Sequence, residues 1–189
     1  MTGDSKLEIP DASFVVEIDH DAQDFNTCIA IYKAQLEQGE IQKAYHYLLR
    51  YLMHLKAQIS DSLSTEFSCG NISPGYMDFS YFPFFDDYLR ERKLRFGIVL
   101  NHRALRFELW LMGQNATIQS AYWNKLKNSP LNAGRTEMPK YSILEAVLVE
   151  TPNFNQTDLL TIQVKEEAMR VSEAIIEAIR TAEDRDNTC

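Results

Sequence analysis

Two alternating stretches, separated by a short polar turn, decide the fold of this chain: KLRFGIVLNHRALRFELWLMG, residues 93–113. Alternation of apolar and polar side chains is typical of β-strands, so we predict strands over 94–100 and 105–112 with a turn at 101–104. If Leu100 pairs with Leu105, the register brings Ile98 opposite Phe107 on an apolar face that belongs to the core. The second face then carries the more polar pairs, which are Val99 with Arg106, Gly97 with Glu108, and Arg95 with Trp110.

The remaining sequence predicts helices around this hairpin. Apolar residues recur at intervals of three and four in three long segments and one shorter segment, which is the helical period. Two further strands are expected, at 76–82 and 142–149, and residues 127–141 show no periodicity, which indicates a mobile lid or a loop without regular structure. The predicted helices begin at Asp21, Glu40, Asn115 and Thr157 and end near Gly39, Leu63, Lys127 and Thr181. The predicted class is α+β, with an antiparallel sheet of about four strands, about four helices and an N-terminal helical hairpin.

Composition predicts one globular domain. The 189 residues are 45% hydrophobic and 24% charged, with seven Gly and six Pro, so we expect one domain over 1–189 with flexible ends at 1–20 and 182–189. The first twenty residues lack the apolar run of a secretory signal, and the longest apolar stretches are too short to cross a bilayer. Cys28, Cys69 and Cys189 are widely spaced and odd in number, which argues against a disulfide framework. We therefore expect a cytoplasmic protein with no membrane span.

The charge of the chain is unevenly distributed. Residues 90–140 contain ten Lys or Arg against three Asp or Glu, although the formal net charge of the whole chain is −8. A basic middle in an acidic chain can orient an anionic ligand or a partner protein. Because the whole chain is acidic and the basic residues form no continuous stripe, we expect nucleic acid to bind weakly at most.

The second face of the hairpin is the candidate ligand site. Its predicted residues, with two from the preceding strand, are Tyr76, Asp78, Arg95, Arg106, Glu108 and Trp110. A guanidinium stacked on an indole makes a platform for a planar or anionic ligand. The alternative, which we favour, is an internal ion pair of Arg95 with Glu108, covered by a helix, because structural networks imitate sites.

No catalytic or metal-binding motif of high specificity is present. The carboxylates of Asp78, Glu108 and Glu145 on adjacent strands would suit a magnesium-dependent nuclease. However, no strand carries the lysine two residues after a carboxylate that nucleases of the restriction-enzyme type use. We therefore predict no metal site and no cofactor, and the catalytic residues, if there are any, remain unassigned.

Four stretches resemble a known bacterial family. They are YKAQLEQGEIQKAYHYLLRYLMHLK, GYMDFSYFPFF, RKLRFGIVLNHRALRFELWLMGQNATIQSAYW and ILEAVLVETPNF, and the most distinctive parts are residues 75–78 and 93–114. The family is catalogued only as a domain of unknown function, so the resemblance implies an intracellular bacterial protein of one domain and supplies no catalytic residue.

The function that these observations favour is a non-enzymatic binding or protein-interaction module. The alternative is an enzyme or binder that acts on an anionic ligand, such as a nucleotide or nucleic acid, at the second face of the hairpin. The final helix carries an inward apolar stripe and a second stripe of Ile162, Met169 and Ile176. Because the second stripe widens the apolar surface beyond what packing on one side requires, we predict a homodimer through this helix.

Overall fold

The computed structural model describes residues 24–63 and 67–187. These residues form five α-helices, five β-strands and one 3-10 turn. In chain order they are α1 (Phe25–Gln38), α2 (Glu40–Leu63), β1 (Ser68–Cys69), β2 (Phe79–Phe85), α3 (Asp87–Glu91), β3 (Leu94–Asn101), β4 (Arg106–Gly113), α4 (Ala116–Leu126), the 3-10 turn (Pro130–Asn132), β5 (Leu144–Val149) and α5 (Thr157–Asn187). The α+β class is therefore confirmed, with one strand and one helix more than predicted.

The chain divides into two compact units, Met1–Gln42 and Lys43–Cys189, and the single domain stays a prediction. The predicted N-terminal helical hairpin corresponds to α1 and α2, which only Gly39 separates, in the left-handed conformation with φ 76° that favours glycine. The predicted cap at Asp21 and the predicted flexible end at 1–20 lie outside the described residues. Of the other predicted flexible end, residues 182–187 belong to α5.

The five strands form one antiparallel sheet in chain order, from β1 to β5. The predicted register of the central hairpin is wrong by two residues, because Leu100 pairs with Phe107 and Asn101 with Arg106. The turn occupies residues 102–105, where Leu105 has a φ of 49° and the side chain of Asn101 accepts a hydrogen bond from the N–H of Ala104. A shift of two keeps every side chain on its predicted face, since side chains alternate with a period of two. It changes the partners on the second face to Asn101 with Arg106, Val99 with Glu108, Gly97 with Trp110, and Arg95 with Met112.

The core lies on one face of the sheet. Six apolar residues of the hairpin on the inward face are fully buried: Phe96, Ile98, Leu100, Phe107, Leu109 and Leu111. The prediction was wrong for Leu105, which was paired with Leu100 but lies in the turn and is 50% exposed. Side chains from α2 and α5 complete the same cluster, among them Leu52, Leu55, Ile59, Val164, Val171, Ile175 and Ile179. Burial of each such side chain contributes about 1.5–3 kcal/mol. The helical stripes predicted for α2 and α5 therefore cover the inner face of the sheet.

The connection from α4 to β5 is anchored rather than structureless. Its 3-10 turn contains Asn132, which is buried and donates hydrogen bonds to the carbonyl oxygens of Leu126 and Ile143. Arg135 forms an ion pair with Glu145 at 3.0 Å. Buried polar contacts of this kind fix a long connection against the sheet.

Polar contacts near the end of α5 join this helix to α3 and α4. Glu183 accepts hydrogen bonds from Arg92 Nε at 3.0 Å, from Tyr122 OH at 2.9 Å and from Tyr88 OH at 3.4 Å. The Arg92 guanidinium also lies 3.7 Å from the centre of the Tyr88 ring. Burial and the neighbouring Glu183 carboxylate raise the pKa of Tyr122 well above its ordinary value. This cluster stabilises the packing of three helices.

Candidate functional site

The second face of the sheet contains a buried carboxylate, that of Glu108. Its side chain is 4% exposed and accepts hydrogen bonds from Arg106 Nε at 2.6 Å, Trp110 Nε1 at 2.7 Å and Asn101 Nδ2 at 3.1 Å. The Arg106 guanidinium also meets the carboxylate of Glu150 at 3.2 Å. The hydrogen bond to Glu108 is the main cause that raises the pKa of Arg106. The structure therefore brings together three of the predicted site residues, Arg106, Glu108 and Trp110. Their hydrogen-bonding groups are already paired with one another.

Aromatic side chains cover the middle of this second face. Trp110 is buried with Val99 and Met112, and Phe79 and Tyr81 pack against them. The Phe79 ring lies 4.8 Å from the Trp110 ring, measured between centroids. The predicted stacking of an arginine on Trp110 is therefore replaced by an aromatic contact and by the hydrogen bond to Glu108.

Arg95 is separate from this network. The predicted ion pair of Arg95 with Glu108 is wrong, because the register places Arg95 opposite Met112 and Glu108 opposite Val99. Arg95 Nε is buried and has no hydrogen-bond partner among the described residues.

Tyr76 and Asp78 lie in the turn before β2 rather than on the strand, since β2 begins at Phe79. Their predicted place on the strand is wrong, because Gly75 and Met77 both adopt positive φ, 66° and 64°, and interrupt the extended backbone. The Asp78 carboxylate accepts hydrogen bonds from the N–H groups of Tyr76 at 3.0 Å and Phe79 at 2.6 Å. Burial raises the pKa of Asp78, but these two N–H groups and His102 lower it on balance.

The three carboxylates considered for a metal site are likewise separated by their partners. Asp78 caps its own turn, Glu108 is bound by Arg106, and Glu145 by Arg135 and by Ser142 Oγ at 2.8 Å. Within residues 24–63 and 67–187, no group of three His, Cys, Asp or Glu side chains is placed to hold a metal ion.

A second set of hydrogen bonds, which no sequence pattern predicts, holds the same turn. The carbonyl oxygen of Pro74 accepts hydrogen bonds from Tyr45 OH at 2.7 Å and from Ser80 Oγ at 2.5 Å. His102 Nε2 lies 2.7 Å from Ser80 Oγ, and the backbone N–H of His102 donates to the carbonyl oxygen of Asp78. Burial lowers the pKa of His102, although the charge of Asp78 opposes this shift. The turn is thus fixed from α2, β2 and the β3–β4 turn.

The Ser80–His102 pair does not have the arrangement of a nucleophile and its base. The only hydroxyl proton of Ser80 is donated to the carbonyl oxygen of Pro74, so Ser80 Oγ accepts a hydrogen bond from His102 Nε2. An activated serine instead donates its proton to the histidine. Ser80 is also fully buried, which closes it to a substrate.

Two large side chains with apolar surface are exposed on this fixed turn, next to the exposed carboxylate of Asp78. Tyr76 is 95% exposed and Met77 48% exposed, and Leu105 on the adjacent turn is 50% exposed. The two turns are neighbours at one end of the sheet, because Phe79 pairs with Asn101 and Asp78 bonds to His102. We call Tyr76, Met77 and Leu105 the turn patch.

The final helix shows both of its predicted stripes. The inward stripe is buried, and Met169 and Ile176 of the second stripe are half-buried and pack against the core. Ile162 is 51% exposed and Leu159, one turn earlier, is 50% exposed. The apolar surface that α5 leaves exposed is therefore smaller than predicted and lies near its N-terminal end.

In the part of the chain that the structure describes, no helix is long and apolar enough to span a membrane. No curated protein and no solved structure matched the chain. A family model described as a domain of unknown function, DUF7000, matches residues 25–179. The match includes all six predicted site residues and both turns of the turn patch, so the chain belongs to the DUF7000 family of domains of unknown function.

Proposed function

We propose that this chain is a non-enzymatic protein-interaction module whose contact surface is the turn patch of Tyr76, Met77 and Leu105. The observation that carries the proposal is Tyr76, a large aromatic side chain that is 95% exposed on a turn held by several hydrogen bonds. Tyrosine is among the residues that most often dominate binding energy at interfaces.

The rigidity of the turn supports this function. Ordering a flexible loop on binding costs free energy, and a loop that is already fixed avoids much of that cost. Met77 and Leu105 both adopt positive φ, which is uncommon for residues other than glycine and costs of order 1–3 kcal/mol each. The anchors at Pro74 and Asp78 hold Met77 in this conformation. The turn of Leu105 is held by the hydrogen bonds of Ala104 N–H to the Asn101 side chain and of His102 N–H to the carbonyl oxygen of Asp78.

The chemistry of the partner follows from the residues around the patch. Arg103 is exposed on the same turn as Leu105. A complementary surface would have an apolar pocket for Tyr76 and a carboxylate near Arg103, since complementary charge favours correct docking. The partner we propose is therefore a protein with an apolar pocket for Tyr76 and a carboxylate on the side that faces Arg103, away from the exposed carboxylate of Asp78.

Affinity capture from an extract of the source cells tests the proposal, with wild type compared against Tyr76→Ala and Tyr47→Ala. Tyr47 is the matched control, because it is a tyrosine 58% exposed on α2. We expect the Tyr76→Ala variant to lose a protein that wild type and Tyr47→Ala both retain, and to raise its Kd by roughly 30-fold, equivalent to about 2 kcal/mol. Equal capture by all three proteins would contradict the turn patch as the contact surface.

Self-association through α5 remains a separate proposal, supported by exposed Leu159 and Ile162. Light scattering at high micromolar concentration should give a dimer mass for wild type and a monomer mass for Ile162→Glu. A glutamate carboxylate at position 162 would be buried in the apolar dimer interface, which costs free energy. In the monomer the same carboxylate stays exposed to water and costs little. Tyr76→Ala should remain dimeric, and a monomer mass for wild type would rule out the α5 dimer.

We also propose a cytoplasmic location in a bacterium and no nucleic-acid partner. The half-buried Cys69 thiol, whose pKa burial raises, supports a reducing compartment because it forms no disulfide with another described residue. The ion pairs of Arg92, Arg106 and Arg135 with glutamates reduce the basic surface that nucleic acid would need. The bacterial origin is supported by the family resemblance alone.

A further inference from the structure

Arg95 lies on β3 between Leu94 and Phe96, both of which are buried in the core. Side chains alternate along a strand, so Arg95 lies on the second face, where its partner in the register is Met112. Gly97 is the next β3 residue on this face, and a Cβ there would lie 2.5 Å from Met112 Cε and 3.5 Å from the Tyr81 ring. Met112 and Tyr81 therefore fill the space above Gly97 and form an apolar wall beside Arg95.

The hydrogen-bonding state of Arg95 differs from that of three other arginines on this sheet and its connections. Arg92, Arg106 and Arg135 each form an ion pair with a glutamate at 3.0 Å or less. Arg95 is half-buried and its Nε is buried without an acceptor in residues 24–63 and 67–187. A guanidinium carries a positive charge and five N–H donors but no acceptor, so it binds best where an acceptor is present. A buried donor without an acceptor costs about 1–3 kcal/mol, which makes such groups rare.

The charges close to Arg95 in sequence add to its attraction for anions. Lys93, two residues earlier, is exposed and forms no ion pair with a residue that the structure describes, and Arg90 lies over the Phe85 ring at 5.4 Å. Glu91 is the one acid between residues 90 and 95, and it lies 3.9 Å from Arg92. Three cations near the start of β3 therefore have no carboxylate partner in the described chain.

We propose that Arg95 binds the oxyanion of a small molecule, a phosphate or a carboxylate, on the second face of the sheet. The planar guanidinium forms two parallel hydrogen bonds with such a group, and Lys93 adds positive charge. This site is distinct from the Arg106–Glu108 pair, whose charges are already matched, and from the turn patch, so it is independent of the proposed interaction function.

Thermal unfolding tests the site with sodium phosphate and sodium acetate as probes, each compared with sodium chloride at equal ionic strength. Because phosphate stabilises proteins generally, the measured quantity is the rise in Tm of wild type minus the rise in Tm of Arg95→Met. We expect at least one probe to raise the Tm of wild type about 2 °C more than that of Arg95→Met. Arg50→Met, which removes an exposed arginine from α2, should retain the full gain.

In chloride, Arg95→Met should unfold at the same Tm as wild type or higher, because an apolar side chain removes the unsatisfied donor. If Arg95→Met does not fold, Arg95→Lys supplies the comparison, since it keeps the charge and loses the planar fork. We expect Arg95→Lys to weaken binding of the effective probe about tenfold. If only phosphate or only acetate raises the Tm of wild type more than that of Arg95→Met, that probe identifies the oxyanion that the site binds. Equal gains in wild type and the Arg95 variants would overturn the proposal.

Discussion

Replacement of Glu108 by alanine is expected to lower the free energy of unfolding by about 3–5 kcal/mol, which is the usual cost of removing one partner of a buried charge pair. The Glu108 side chain is 4% exposed and accepts hydrogen bonds from three side chains. Without it, the indole N–H of Trp110 loses its acceptor in a buried position, and Arg106 loses the closer of its two carboxylates. Urea unfolding followed by Trp fluorescence and by circular dichroism measures this difference.

Glu150→Ala is the matched control, because Glu150 also pairs with Arg106 but its side chain is 67% exposed. An exposed ion pair contributes about 0–1 kcal/mol, so this variant should remain close to wild type. A double-mutant cycle of Glu108→Ala with Arg106→Ala separates the pair from the Trp110 hydrogen bond. If Glu108→Ala and Glu150→Ala unfold at the same urea concentration, the second face is open to solvent and the buried network is refuted.

The fold was predictable where one local period determined it. Leu94 to Leu100 and the following strand alternate so regularly that their inward faces were assigned correctly even with the register displaced by two residues. The helix at Glu40–Leu63 was predicted with its observed bounds, because its apolar residues recur at helical spacing and Gly39 precedes them. The two-residue β1 and the five-residue α3 were missed, since segments of that length contain less than two periods.

The candidate site was less predictable, because its contacts join residues that are far apart in sequence. Arg106, Glu108 and Trp110 were found from their alternation on one strand. The contacts of Tyr45 with Pro74 and of Ser80 with His102 span 29 and 22 residues, and no local pattern indicates them. Tyr76 and Asp78 were assigned to a strand because aromatic residues dominate 76–82. The turn that begins at Pro74 and Gly75 instead continues as far as Asp78. Local propensity identified the residues of interest, and tertiary hydrogen bonds determined where they lie.

The conformation of Gly75 makes the turn patch sensitive to a single methyl group. Gly75 has a φ of 66°, and a Cβ there would lie 2.1 Å from the carbonyl oxygen of Phe79. Gly134 has a φ of 84°, but a Cβ there meets nothing within 4 Å. Both Gly→Ala variants incur the left-handed penalty of about 1–2 kcal/mol. In Gly75→Ala the added Cβ also collides with the backbone. Overpacking of this kind adds a further cost of about 1–3 kcal/mol.

We therefore expect Gly75→Ala to lose about 2–5 kcal/mol of stability and Gly134→Ala about 1–2 kcal/mol, as measured by urea unfolding. Because the added Cβ forces the turn to open, the N–H of Phe79 should lose its hydrogen bond to Asp78 and exchange faster with solvent in Gly75→Ala alone. Equal stability and equal exchange in the two variants would show that the turn does not hold the backbone described.

If the turn patch binds its partner as a preformed surface, Gly75→Ala should weaken binding even though it keeps Tyr76, Met77 and Leu105. Retained affinity in a variant with an opened turn would mean that these side chains bind without being held in advance, and the rigid-turn argument for the proposed function would fail.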